Sequence, residues 1–139
     1  MDLLNATFFA DAAGHDLSIN TYGKKGGDVV GGTFAVPTTS QGVAFPGSNV
    51  DALIINSPSS LPAGTVRGSV ALERPVDLTG VLRIQGNAGT TVDIEAAVTA
   101  ADVVIGGITS TPNVAPTDVV VDGRIKADNI GIRSTGTIE

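Results

Sequence analysis

His15 is the single histidine of the chain, so any histidine-based proton relay has to run through it. Asp11 lies four residues before it and Asp16 directly follows, and an aspartate so placed could orient an imidazole as general base. Gly14 sits between Asp11 and His15 and weakens the helix that would bring them onto one face. No Ser stands in a Gly-x-Ser-x-Gly elbow. Cys is absent, which removes thiolate catalysis, disulfides and Cys-type zinc or iron–sulfur sites. His15 therefore reads as a surface histidine.

Asp93 and Glu95 stand two residues apart, on one face of an expected strand, within reach of each other for paired-carboxylate chemistry. With Asp118 or Asp122 the same pair could offer oxygen ligands to calcium. No Gly-Gly-x-Gly-x-Asp repeat or EF-hand loop accompanies them, so a solvated sheet face accounts for these acids. Gly23-Lys24-Lys25-Gly26-Gly27 has the glycines of a phosphate loop but not its spacing, and no helical pattern follows to supply a dipole. It reads as a solvated turn whose lysines suit an acidic partner surface. No Gly-x-Gly-x-x-Gly fingerprint follows a strand, and aromatics are only 4%. Asn5-Ala6-Thr7 fits the glycosylation pattern by chance. The sequence thus assigns no catalytic, cofactor-binding or metal-ligating residue.

The elements that would position these groups are all strand-like. The chain has 139 residues, of which 42% are apolar and only 16% charged, so β-branched and small residues supply the apolar mass. Net charge is 8 − 14 = −6. Scattered cations on an acidic chain argue against nucleic acid and anionic membranes as partners. No apolar run approaches the roughly 18 residues that span a bilayer, and the first residues lack the pattern of a secretory signal.

From Thr65 onward apolar and polar residues alternate with period two. Val66, Gly68, Val70 and Leu72 are expected to face inward, with Arg67 and Ser69 outward. The same reading places Val76, Leu78, Leu82 and Ile84 inside, then Val92, Ile94 and Val98, then Val119, Val121 and Ile125, then Ile130, Ile132 and Ile138. An apolar-x-Gly-x-apolar motif recurs around Gly32, Gly68, Gly80, Gly106 and Gly123, and in degenerate form around Gly136. Each Gly is read as an inward residue that permits close approach or marks a bend. Successive spacings from Gly68 are 80 − 68 = 12, 106 − 80 = 26, 123 − 106 = 17 and 136 − 123 = 13, which is no single period. Antiparallel hairpins therefore fit better than a strict β-helix.

Residues 1–65 read as a Gly/Pro-rich, low-charge arm or β segment, and residues 66–139 as a compact β-domain. The first 14 residues could form one short helix capped by Asp2, with Leu4 and Phe8 on one face and Gly14 as its stop; an arm fits them equally. Gln85-Gly86-Asn87-Ala88-Gly89 is a hairpin-type turn. Residues 107–117, with Pro112 and Pro116, read as an exposed loop open to a ligand. The expected fold is all-β: short antiparallel strands in a sandwich or barrel-like domain, or an irregular β-solenoid, with an N-terminal arm or one short helix.

Two resemblances bear on function. Leu82-Arg-Ile-Gln-Gly86, Asp102-Val-Val-Ile-Gly106 and Asp122-Gly-Arg-Ile-Lys-Ala-Asp128 resemble rungs of bactofilins, polymer-forming bacterial β-solenoids. In overall composition the chain is similar to small tailed-phage virion proteins, including capsid decoration (cement) proteins. The second resemblance implies a non-enzymatic virion protein that forms a homo-oligomer, a trimer by that analogy, and stabilises a lattice of major capsid protein. The first implies a self-polymerising filament in a bacterial cytoplasm. An adhesin or binding β-domain is the third expectation. None of these needs a cofactor.

Overall fold

Short runs of Val, Ile and Leu are separated by Gly, Ala, Pro and Asp, so each strand is brief and each corner is small. The computed structural model describes residues 1–3, 6–8, 15–23, 26–31, 33–34, 50–56, 65–107 and 114–139. Their strands are β1 (Thr7–Phe8), β2 (His15–Ile19), β3 (Tyr22–Gly23), β4 (Val29–Val30), β5 (Thr33–Phe34) and β6 (Val50–Ile55). There follow β7 (Val66–Arg67), β8 (Val70–Leu72), β9 (Val76–Asp77), β10 (Val81–Ile84) and β11 (Thr91–Ile94). The last are β12 (Val98–Thr99), β13 (Asp102–Ile105), β14 (Asp118–Val121), β15 (Ile125–Lys126) and β16 (Asn129–Ile132).

These strands wind into a three-sided parallel β-solenoid. Sheet I is β4-β8-β11-β14, sheet II is β1-β5-β9-β12-β15, and sheet III is β2-β6-β10-β13-β16. Each coil passes through I, II and III in turn, so every strand of these three sheets pairs in parallel with its counterpart one coil away. Asp2 bridges Val30 at the start of sheet I, and Ile138 bridges Val119 at its far end. Apart from β3, which pairs with β7, the described strands before residue 65 belong to the same three sheets as those after it.

Register stacks like on like. Ile19, Ile55, Ile84, Ile105 and Ile132 form one column on sheet III. Val29, Val70, Val92 and Val119 form another on sheet I. Three inward columns meet on the solenoid axis and make a single apolar core. Each fully buried side chain of this kind contributes roughly 1.5–3 kcal/mol.

The all-β class is as expected, and of the two architectures read from the sequence the irregular solenoid is the one present. The antiparallel sandwich or barrel is not: among the described residues the only antiparallel pair is β3 with β7, Tyr22 opposite Arg67 and Gly23 opposite Val66. The helix is not there either, since Asp2 lies in a bridge and Thr7–Phe8 in a strand, while Leu4 and residues 9–14 lie outside the described residues. Carbonyls of the neighbouring coil can pair with these residues, and that competes with a three-turn helix of marginal stability.

The recurrent glycines sit at corners rather than inside strands. A Cβ on Gly68 would lie 1.9 Å from the Gly27 carbonyl oxygen, and one on Gly123 would lie 2.1 Å from that of Ala96. Successive coils approach there backbone to backbone, so the missing side chain is what lets them stack. Gly32 lies outside the described residues.

One corner inverts the expected alternation. Val66 is 38% exposed and Arg67 only 3%. The expectation fails because residues 66–67 pair with β3 across the corner between sheets III and I and do not extend β8. There the Arg67 guanidinium donates through Nε to the Asn56 carbonyl at 2.8 Å and through a terminal nitrogen to the Gly86 carbonyl at 3.1 Å. Burial lowers its pKa from the ordinary arginine value, yet a guanidinium so basic stays charged.

Candidate functional site

The candidates for chemistry do not converge. His15 opens β2 on the first coil, on sheet III, with Asp16 beside it; Asp11 and the Lys24-Lys25 pair lie outside the described residues. Asp93 lies on β11 of sheet I, three coils away from β2. Asp118 is turned to the backbone of the next coil, where its carboxylate accepts from Thr137 N at 3.0 Å.

The acids form a ladder instead. Leu72, Ile94 and Val121 are in register, so Glu73, Glu95 and Asp122 follow one above another at the corner between sheets I and II. Glu95 is exposed, and its pKa is raised by desolvation and by the charges of Asp93, Glu73 and Asp122. Among the described residues no group of three or more His, Asp or Glu is arranged to hold a metal ion. A depression of about 220 Å³ on the outer face of sheet I is lined by Asp28, Val30, Ser69, Ala71, Thr91 and Asp93. Asp28 there accepts from Ser69 N at 2.9 Å, and one buried Asp93 carboxylate oxygen accepts no hydrogen bond. Neither feature brings a nucleophile, base and anion-stabilising donor together.

The loop expected to be exposed is partly docked. Val114 and Ala115 are 1% and 5% exposed, and the Val114 carbonyl accepts from Gly86 N at 2.9 Å. Val114–Pro116 therefore close the corner between sheets III and I; residues 108–113 lie outside the described residues.

What the solenoid does present is its C-terminal end. Among the described residues the inward columns continue one step beyond the core. Val103 is fully buried, and Ile130, stacked on it, is 52% exposed. Val119 is fully buried, and Ile138, bridged to it, is 53% exposed. Val121, Ile125, Ala127 and Ile132 are half-buried between them. This apolar triangle is rimmed by exposed Asp122, Arg124, Lys126, Asp128, Arg133 and Glu139. Among the described residues β15 and β16 are outermost in their sheets, so their outer backbone edges carry no strand. Such an edge is a template for a further β-strand.

The inward positions of this end were readable from the period-two pattern. Their exposure was not, because alternation marks direction and does not count coils. The Arg67–Asn56 contact had no signal in the sequence beyond the proximity of Arg67 to Gly68. Among the described residues no helix is long and apolar enough to cross a membrane. The chain matches no protein-family model, no curated protein and no solved structure.

Proposed function

We propose that this chain is a non-enzymatic structural protein that oligomerises and stabilises a protein lattice. The observation that carries this reading is the apolar surface of the outermost described coil, with Ile130 and Ile138 half exposed directly above fully buried Val103 and Val119. An apolar end rimmed by charge is the anatomy of a protein contact, apolar at the centre and polar at the edge. Among the described residues His15 lies on sheet III, away from the acid ladder at the corner between sheets I and II. A virion surface lattice, with the major capsid protein as partner, is the setting that the composition favours.

Sedimentation of the purified chain at rising concentration tests the reading. Association in the micromolar range is expected, and co-sedimentation with expanded phage capsids would place it in a coat. A chain that stays monomeric at millimolar concentration and ignores capsids would overturn it. A filament is the second reading, favoured by the parallel coils and the open strand edges. Long fibres in electron micrographs of the chain alone would select it over the lattice.

A further inference from the structure

We propose that the outer face of sheet I docks a basic segment of a protein partner, and that the depression on this face seats one lysine or arginine side chain of that segment. The contact rests on the structural reading above and names one face for it and the chemistry of its partner.

Charge on this molecule is segregated. Asp28, Glu73, Asp93, Glu95, Asp118 and Asp122 lie on the strands of sheet I or on the residue next to one of them. Among the described residues no Lys or Arg holds such a position. These six acids match the whole net charge of −6, and the remaining acids equal the bases in number. Arg83 lies on sheet III, Lys126 on sheet II, and Arg67 is buried in a corner. Like charges gathered on one face repel one another. The effect reaches Glu95, whose pKa is raised by desolvation and then by the charges of Asp93, Glu73 and Asp122. A cationic surface set against this face relieves the repulsion and is steered to it.

The depression gives that charge a shape. Val30, Ala71 and Asp93 stack across β4, β8 and β11. Their neighbours Val29, Val70 and Val92 are buried in the core, so this column points outward. Ala71 is the smallest of the three and leaves a low floor between Val30 and Asp93. The column beside it is already engaged: Asp28 accepts from Ser69 N at 2.9 Å, and Ser69 Oγ accepts from Thr91 N at 3.0 Å. Asp93 is not. One of its carboxylate oxygens is buried and accepts no hydrogen bond, so it has lost water without gaining a donor. A positive charge held in the depression supplies the missing compensation.

Distance selects a long side chain over a metal ion. Asp28 and Asp93 stand two strands apart, roughly 9–10 Å across the sheet. One calcium ion, with oxygen ligands at roughly 2.3–2.6 Å, does not reach both. Lysine and arginine lay an apolar stem along a surface and carry the charge at its end. Val30 and Ala71 suit the stem, and Asp93 suits the head.

The test is fluorescence anisotropy of the full chain with two labelled peptides, one alternating Lys with Ala and one alternating Glu with Ala. The Lys peptide is expected to bind and the Glu peptide is not. Asp93→Asn removes the charge and keeps the shape, whereas Ala71→Leu keeps the charge and fills the depression. Each should weaken binding of the Lys peptide by about tenfold. Asp77→Asn removes an exposed charge on sheet II and should change it by less than about twofold. Both test positions point outward, so circular dichroism of the variants should match that of the parent. Failure of the Lys peptide to bind the unmodified chain overturns the proposal. Equal losses in Asp93→Asn and Asp77→Asn, or unchanged binding in Ala71→Leu, mark diffuse attraction and overturn the seated side chain. Calorimetry with calcium chloride alone is the last arm: saturable binding that is lost in Asp93→Asn assigns the depression to a metal ion and overturns it too. Each of these outcomes leaves the structural reading standing, because that reading is judged by sedimentation of the chain alone and with capsids.

Discussion

Arg67 Nε lies 2.8 Å from the backbone oxygen of Asn56, and this bond joins the two ends of the passage that leads from β6 on sheet III to β8 on sheet I. The same guanidinium reaches the Gly86 carbonyl on the next passage around that corner, so a single side chain ties two consecutive coils. Arg67→Met keeps the buried stem and removes the donors, which strands two carbonyls. The expected loss is about 2–4 kcal/mol in urea unfolding. Arg67→Lys should recover less than half of it, because an ammonium cannot present two donors in a fixed fork.

Asn56 holds the other half of that corner in a left-handed conformation, φ +59°, while fully buried. Its side-chain oxygen accepts from Thr21 N at 2.9 Å and from the Thr21 hydroxyl at 3.1 Å, and its amide donates to the Gly68 carbonyl at 3.2 Å. Asn56→Ala loses these bonds and is strained at positive φ; Asn56→Gly loses the bonds alone. Ala should therefore cost about 1 kcal/mol more than Gly, the reverse of their order in a regular strand. Denaturation midpoints of the two variants check the order.

The strand class and most of the inward residues were legible, and the coil was not. From one sheet to the next the chain does keep a period. Val70 to Val76, Val92 to Val98 and Val119 to Ile125 each span six residues, from sheet I to sheet II. Sheet II to sheet III takes 82 − 76 = 6, 103 − 98 = 5 and 130 − 125 = 5. The return from sheet III to sheet I takes 92 − 82 = 10 and 119 − 103 = 16. The irregularity of coils three to five is gathered at one corner, where loops of different length are tolerated at small entropic cost. The glycines hid this because Gly68, Gly106 and Gly136 belong to that corner, Gly80 to the one between sheets II and III and Gly123 to the one between I and II, so their separations compare unlike places.

Gly123 and Gly131 lie eight residues apart on the same coil (131 − 123 = 8) and should respond oppositely to one methyl group. At Gly123 the new Cβ meets the Ala96 carbonyl and backbone at 2.1–3.0 Å, so the coils must part. Gly123→Ala should cost about 2–4 kcal/mol, in the range of an overpacked site or beyond. Gly131→Ala meets nothing and restricts the unfolded chain, so stability should rise by about 0.5 kcal/mol. Parallel thermal melts of the two variants read the contrast.

The end surface was half legible. Ile130, Ile132 and Ile138 carry the period-two signature of core residues. That nothing among the described residues stacks beyond them depends on how many coils precede them, and coil count is a long-range property. The acid ladder was hidden for the same reason. Glu73, Glu95 and Asp122 lie 95 − 73 = 22 and 122 − 95 = 27 residues apart, and only the coil register makes them neighbours.

That ladder sets a pH dependence. The Glu95 pKa is raised first by desolvation and then by the charges of Asp93, Glu73 and Asp122, so the folded chain binds this proton more tightly than the unfolded chain does. Stability then falls as pH rises through the carboxylate range, because the folded state holds the extra proton only below its raised pKa. Above that pKa the penalty is fully present. Glu95→Gln removes the charge at every pH and should raise the melting temperature at neutral pH. The gain should shrink on acidification to pH 4, where the native carboxyl is itself protonated. The exposed position and salt screening keep the effect small, and added salt should diminish it further. Thermal melts of both proteins at pH 4 and pH 7, each at low and high ionic strength, are the check. Equal gains at the two pH values would show that the ladder is not what loads Glu95.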